Sequence, residues 1–313
     1  MHRWYAALCV GLLALGLPDG RAFAEQPTSE TRLILLGTAG GPSPKQTRSA
    51  PANAIVVDEA VYVVDAGNGV ARQLVLAGLP PRHLRAVFIT HHHSDHNADY
   101  GNLMLLAWTT GLRTPVDTYG PPPLARMTEL FLALNAPDIE LRQDEEGQPV
   151  LAELIRPHEI EADGVIYEDE NVKVTAFEVI HLGARAYGFR FDTHDRSIVF
   201  SGDTSPSENL IKHARGADVL VHEVVSVPAV DALVARVDAG NEALRSHIIN
   251  AHTPSTEVGR IATEAGVETL VLTHFVPSDG PDDKAELWHA DAREHFSGDL
   301  IIGHDLMEIP PAP

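Results

Sequence analysis

Between Thr90 and His96 the chain reads Thr-His-His-His-Ser-Asp-His. The spacing His91-x-His93-x-Asp95-His96 gathers three imidazoles and one carboxylate into a single short stretch. Imidazole and carboxylate are good donors for zinc and similar borderline cations. On an extended loop alternate side chains point the same way, so His91 and His93 can grip one ion. Asp95 and His96 face the other side and can grip a second. Two cations a few ångströms apart lower the pKa of a shared water toward neutrality, which is the chemistry of ester hydrolysis by an activated hydroxide. The other reading of the run is a surface histidine cluster that collects metal adventitiously.

Such residues need elements to hold them. A short apolar strand over 86–89 leads directly into the cluster, at the kind of position where α/β folds place ligand loops. Ahead of it, 33–36 reads as a buried strand entering the turn Gly37-Thr38-Ala39-Gly40-Gly41. That turn lacks the following Gly-Lys-Ser/Thr of a nucleotide P-loop. Residues 54–57 and 61–64 pair about a turn at Asp58-Glu59. An amphipathic helix over 70–76 stops at Ala77-Gly78, and 102–108 is apolar and helical. Residues 109–164 are less regular, with a Gly120-Pro121-Pro122-Pro123 turn, a helix over 124–134 and an acidic loop at 144–147. This stretch reads as an insertion beside the site, a lid or plain core. Strands return at 172–179, 186–191 and 197–200. A helix near 207–213, a strand at 219–221, a helix over 256–265 and a strand at 270–272 ending at Thr273-His274 follow. Hairpin-like pairs early in each half predict mixed sheets covered by helices.

The 313 residues, 44% of them hydrophobic, suit one large domain with a substantial core. Residues 1–24 have the marks of a secretory signal. Met1-His2-Arg3 is a basic start, 6–17 is an apolar run too short to span a bilayer, and Ala22-Phe23-Ala24 is a small-x-small cleavage site. The mature domain is then 25–313, periplasmic or secreted, with no stable membrane anchor. The single cysteine, Cys9, falls inside the signal. The mature chain therefore has no disulfide, no thiolate nucleophile and no cysteine-held zinc. A formal net charge of -21 repels polyanions at long range, which predicts no nucleic-acid partner.

His91-x-His93-x-Asp95-His96 resembles the signature loop of the metallo-β-lactamase superfamily, and the later motifs of that family follow in order from about 33 to 277. His181 matches a third ligand of the first metal. Ser201-Gly202-Asp203-Thr204 resembles the loop whose aspartate bridges both metals. Leu272-Thr273-His274-Phe275 resembles the loop of the last ligand. The resemblance implies an α/β fold, a four-layer αββα sandwich of two mixed β-sheets flanked by helices. It also implies that His91, His93 and His181 hold one metal, that Asp95, His96 and His274 hold the second, and that Asp203 joins them. Taken singly, His181 could be a satisfied or surface histidine and Asp203 a turn residue or helix cap. The β-lactamases themselves lack the bridging aspartate, so Asp203 argues against that activity. The segments Leu220-Val221-His222-Glu223, Ala251-His252-Thr253-Pro254-Ser255 and 36–65 resemble the ribonuclease Z, arylsulfatase and phosphodiesterase branch. There the glutamate orients a histidine that protonates a leaving oxygen, so Glu223 would orient His252. The plainer readings are an exposed Glu223 and a helix-cap neighbour in His252.

The cofactor so implied is two Zn2+, with manganese or iron fitting the same donors. Asp95 could also take a proton from the attacking water, so Asp95, His252 and Glu223 form the candidate catalytic set. Asp65 is placed to hydrogen-bond a ligand histidine, and Met104 and Trp108 could receive an aryl or alkyl group or be core. Ribonuclease Z uses a long basic arm to grip tRNA, whereas 109–164 is acidic and rich in proline. With the signal and the charge, this predicts a secreted hydrolase of small-molecule phosphodiesters or aryl sulfates rather than a tRNA-processing enzyme. The alternatives are a lactonase or other carboxylic-ester hydrolase, and a non-catalytic metal-binding protein. Homodimers are common among such relatives. No Gly-x-Ser-x-Gly elbow is present for a serine hydrolase.

Overall fold

The computed structural model describes residues 30–237, 241–278 and 285–311. The signal-peptide reading of 1–24 lies outside these residues. The first half contains strands β1 (Arg32–Gly37), β2 (Ala52–Val57), β3 (Ala60–Val64), β4 (Leu84–Phe88), β5 (Val116–Gly120) and β6 (Ile155–Glu159). Its helices are α1 (Val70–Leu76), α2 (Ser94–Asn97), α3 (Tyr100–Thr109), α4 (Leu124–Leu134), α5 (Ala136–Glu146) and α6 (Leu151–Leu154). The second half contains β7 (Gly164–Glu168), β8 (Val172–His181), β9 (Ala184–Thr193), β10 (Ser197–Phe200), β11 (Val219–Val225), β12 (Thr269–Val276), β13 (Asp299–Ile302) and β14 (Met307–Ile309). Its helices are α7 (Glu208–Ala214), α8 (Val227–Val237), α9 (Glu242–Ala251), α10 (Ser255–Ala265) and α11 (Ala285–Arg293).

The strands form two seven-stranded sheets, in the orders β14-β1-β2-β3-β4-β5-β6 and β13-β12-β11-β10-β9-β8-β7. Each sheet is antiparallel where hairpins connect neighbours and parallel where helices cross over, as at β3-β4-β5 and β10-β11-β12. The period of two in a strand sorts the side chains. In β1, Leu33 and Leu35 enter the layer between the sheets, while Ile34 and Leu36 face α1 and α3 on the outside. In β11, Val219 and Val221 point inward and Leu220 and Val224 pack under α7 and α10. The result is the expected four-layer αββα sandwich.

Phe88 ties the two sheets together. Its ring lies 5.4 Å from Tyr119 in its own sheet and 5.6 and 5.2 Å from Phe189 and Phe191 in the other. Burying a side chain of this size stabilises by about 2–3 kcal/mol. Met104 and Trp108 lie on the buried face of α3 in the outer core, so they are core rather than cleft residues. Residues 144–146 are the last turn of α5 and not a loop, with Gly147 closing the helix in a left-handed conformation. The 109–164 stretch supplies β5 and β6 to the first sheet. No helix among the described residues is long and apolar enough to cross a membrane.

Candidate metal centre and active-site cleft

The site lies at one edge of the sandwich, where the carboxyl ends of several strands meet. Six separate stretches bring it together. His91, His93, Asp95 and His96 follow β4, His181 ends β8, Asp203 follows β10, Glu223 sits on β11 and His274 on β12. His252 follows α9.

The signature loop changes conformation midway. His93 is extended, and Ser94–Asn97 then closes a single helical turn. This puts Asp95 and His96 on a different side from His91 and His93. The middle histidine of the run, His92, is turned away, with contacts to the Pro121 carbonyl at 2.6 Å and Asn97 at 3.0 Å. Asp65, in a left-handed conformation (φ 64°), directly follows β3 beneath the loop. It accepts from the Thr90 amide at 2.8 Å, and its other oxygen contacts His96 Nδ1 at 2.8 Å. Asp65 therefore fixes the His96 ring with Nε2 directed to the centre.

His274 reaches the centre because its strand is irregular. Glu223 pairs with Thr273 and Val224 with Phe275, so His274 is the extra residue of a bulge, at φ 46°. A bulge re-aims a side chain that regular pleating would leave facing elsewhere. His181 is set from another direction. Its Nδ1 donates to the Ala251 carbonyl at 2.9 Å, which leaves Nε2 free for a cation.

The donor atoms converge in pairs. His93 Nδ1 and His181 Nε2 are 3.0 Å apart, and His96 Nε2 and His274 Nε2 are 3.1 Å apart. Asp95 lies 3.4 Å from His274, and Asp203 lies 3.3 Å from both His96 and His274. Tetrahedral zinc with bonds of about 2.0–2.1 Å sets its donors about 3.3 Å apart. His91, His93 and His181 form one compact donor group and Asp95, His96 and His274 another. Asp203 groups with His91 and His96 on one side and with His252 and His274 on the other. Among the buried atoms here, His91 Nε2 and Asp203 Oδ1 have no hydrogen-bond partner. Orphaned donors of this kind are costly unless a cation satisfies them. The residues present therefore fit two metal ions.

The charges agree. Burial, helped by the neighbouring His96, holds His91 well below the ordinary histidine range, so it is neutral and free to donate a lone pair. Burial likewise lowers His93 and His181. For Asp95 burial acts upward, but His96 and then His274 outweigh it and hold the carboxyl at about 2. Asp203 is held well below the carboxylate range, against its burial, by His274 and His96.

Glu223 and His252 form a second layer beside the metal donors. Glu223 is buried, not exposed. One of its oxygens accepts from the amides of Thr204 at 3.1 Å and Thr253 at 2.9 Å, and the other meets His252 Nδ1 at 3.2 Å. Burial would depress His252, but Glu223 outweighs it and lifts the imidazole to about 9. Thr204 and Thr253, which hold Glu223, had no signal in the sequence beyond adjacency to Asp203 and His252.

A cleft of about 430 Å³ opens onto these groups, with His93, Asp95, His181, Asp203, His252 and His274 on its floor. One wall comes from α8 and α9, through Leu233, Leu244, His247 and Ile248. A second cavity adjoins it at Ser94 and Asp95 and carries Lys45, Arg48 and Arg72. The wall had a readable signal, since Val230, Leu233, Val234 and Val237 recur at helical spacing.

The family model described as "Beta-lactamase superfamily domain" matches residues 61–275. Ribonuclease Z of Mycobacterium bovis is 32% identical over 286 residues, covering 90% of this chain and 98% of the relative. Among solved structures, the metallo-β-lactamase fold protein YhfI from Bacillus subtilis superposes with a TM-score of 0.65 at 23% identity, covering 89% of this chain and 98% of that one. The short form of human tRNase Z gives 0.66 at 21% identity, covering 90% and 100%. The chain belongs to the metallo-β-lactamase superfamily, in the branch that contains ribonuclease Z. It is a metal-dependent hydrolase whose donor residues fit two metal ions.

These relatives overturn two expectations. A chain that matches a ribonuclease over nearly its whole length is not assigned to small aryl sulfates, lactones or other small esters, and a nucleic-acid partner is not excluded. The physical error was to read net charge as a local property. Much of the acid lies on exposed faces such as α5, with Asp144, Glu145 and Glu146. The cavity beside the metal centre carries Lys45, Arg48 and Arg72 instead. Phosphates respond to the field where they dock.

Proposed function

We propose that this protein hydrolyses phosphodiester bonds of RNA, with zinc as its metal. The observation that carries the reading is the continuous similarity to ribonuclease Z, joined to a cleft in which the complete metal-donor set is accompanied by the Glu223–His252 pair. Zinc suits a set of imidazoles and carboxylates.

When bound, the two cations would polarise the phosphoryl oxygen and supply an acidified water. The remaining work falls to the chain. Asp95, ionised at neutral pH, can take the proton released from the attacking water. His252 has Nδ1 engaged by Glu223, and its other face lines the cleft, where it can give a proton to the departing ribose oxygen. Cations at Asp203 and His274 would draw its pKa back toward neutrality, where a general acid is most effective. Lys45, Arg48 and Arg72 supply positive charge along the flanking cavity, where the neighbouring phosphates of a strand would run.

The test is cleavage of an end-labelled hairpin RNA with an unpaired 3′ extension by zinc-loaded protein. Cleavage at a defined bond, lost in Asp203→Ala, is the expected result. An intact RNA after prolonged incubation with protein of full metal content would refute the reading.

A further inference from the structure

One wall of the cleft carries no metal donor side chain and no proton-transfer group. On α9, Leu244, His247, Ile248 and Ala251 recur at helical spacing and all face the cleft. Leu244 and Ile248 are anchored from behind by Val225, Val230, Val234 and Val276. The wall is therefore fixed by packing. His247 stands between them with its side chain exposed to the cleft. No charged side chain interrupts the stripe. The helix then runs directly into the functional residues. Ala251 holds His181 through its carbonyl, and the next residue is His252.

A cleft of about 430 Å³ lies within the range of roughly 300–1,000 Å³ that takes ligands of nucleotide size. Branched aliphatics flanking an imidazole offer a flat, apolar face with one ring to stack on. Every nucleobase has a complementary π-face, and unpaired bases are commonly held by such stacking. The position decides which nucleotide it is. His252 faces the leaving oxygen, so the nucleotide that carries that oxygen must lie against the helix that ends at His252. We propose that Leu244, His247 and Ile248 form the platform for the base of the leaving-group nucleotide, with His247 as the residue that makes cleavage depend on that base. This rests on the RNA reading above.

The test uses one hairpin RNA with an unpaired 3′ extension and two abasic versions of it. One lacks the base on the leaving-oxygen side of the cut and the other lacks the base on the opposite side. Loss of a stacked base should slow wild-type kcat/KM about tenfold or more on the leaving side and less than about threefold on the other. His247→Ala should slow the intact RNA by about tenfold and change the leaving-side abasic RNA little, because the contact is already gone. His247→Phe should restore the intact rate, which a role in metal binding would not allow. Zinc content and melting temperature serve as controls. Equal rates on both abasic RNAs, or equal slowing of intact and abasic RNA by His247→Ala, would overturn the platform while leaving RNA hydrolysis standing. Failure of wild-type protein to cut any of the RNAs would overturn both.

Discussion

The pair Glu223 and His252 offers the sharpest single perturbation. Glu223→Gln is nearly isosteric. Its amide oxygen can still accept from the amides of Thr204 and Thr253, so the loop after β10 and the start of α10 keep their anchor. What changes is the other oxygen, 3.2 Å from His252 Nδ1, which becomes an NH2 group. Against burial, the Glu223 carboxylate first and Asp203 after it hold His252 at about 9 against an ordinary 6.5. At 1.36 kcal/mol per pH unit that is roughly 3 kcal/mol in favour of the imidazolium. Both groups are well shielded from solvent, at 12% and 2% side-chain exposure, so little is lost to screening. A general acid works below its pKa, and kcat/KM falls as pH rises through it. Removing the carboxylate lowers the pKa, so the alkaline limb of the pH–rate profile should move to lower pH by about 1–2 units, bound cations shifting both proteins alike. With the wild-type pKa drawn near neutrality by the cations, the loss at neutral pH should be about 10–100-fold on RNA, the fall in the protonated fraction that a shift of about 1–2 units brings. It should be smaller on a substrate such as bis-p-nitrophenyl phosphate, whose leaving group needs no proton. The assay is kcat/KM against pH on both substrates, with zinc content measured in parallel. An unmoved alkaline limb, or equal losses on both substrates, would refute the reasoning.

Asp65→Asn should weaken zinc affinity about 10–100-fold, since Asp65 both orients His96 and anchors Thr90, and chelator competition would measure it. Gly67→Ala should lower zinc occupancy at the Asp95–His96–His274 group, because its Cβ would stand 2.3 Å from the Asp95 carbonyl oxygen and push the ligand turn outward. An unchanged metal count in that variant would contradict the packing. Away from the site, Asp169 accepts from the hydroxyls of Tyr62 and Tyr167 and the amides of Asn171 and Val172. Burial acts to raise its pKa, but those bonds, Tyr167 first, hold it below the usual carboxylate range. Its contribution is therefore present above the unfolded value, near about 3.9, and is lost as pH falls through the lower folded value. Asp169→Asn should melt lower at pH 7 and show a flatter decline of Tm in acid, as thermal melts between about pH 2 and 6 would record.

Much of the site was legible because ligand chemistry is encoded in residue type and spacing. His91, His93, Asp95 and His96 fall within one loop, Asp203, Glu223 and His274 follow or end predicted strands in order, and His252 lies between them, ahead of the predicted helix over 256–265. The structure brings all nine candidate residues to one centre, counting His181. The bulge that turns His274 inward was not legible, because it arises from register with β11 rather than from local sequence. Strand β6 was hidden by Pro157, tolerated there because β6 is the sheet's outer strand. The acidic run at 144–146 read as a loop, yet helix α5 tolerates acid on its exposed face. The misreading of substrate had the same origin as these, a local question answered with an average. A charge of -21 describes the whole chain, whereas the cleft presents imidazoles, an apolar helix face and nearby cations.

The most direct test of a two-metal RNA hydrolase is to titrate metal-free protein with zinc while following cleavage of the 3′-extended hairpin RNA. Cleavage should be absent without metal, rise as about two equivalents bind, and stay absent in Asp203→Ala. Cleavage that needs no metal, or wild-type protein that binds two zinc ions and leaves the RNA intact, would contradict the assignment.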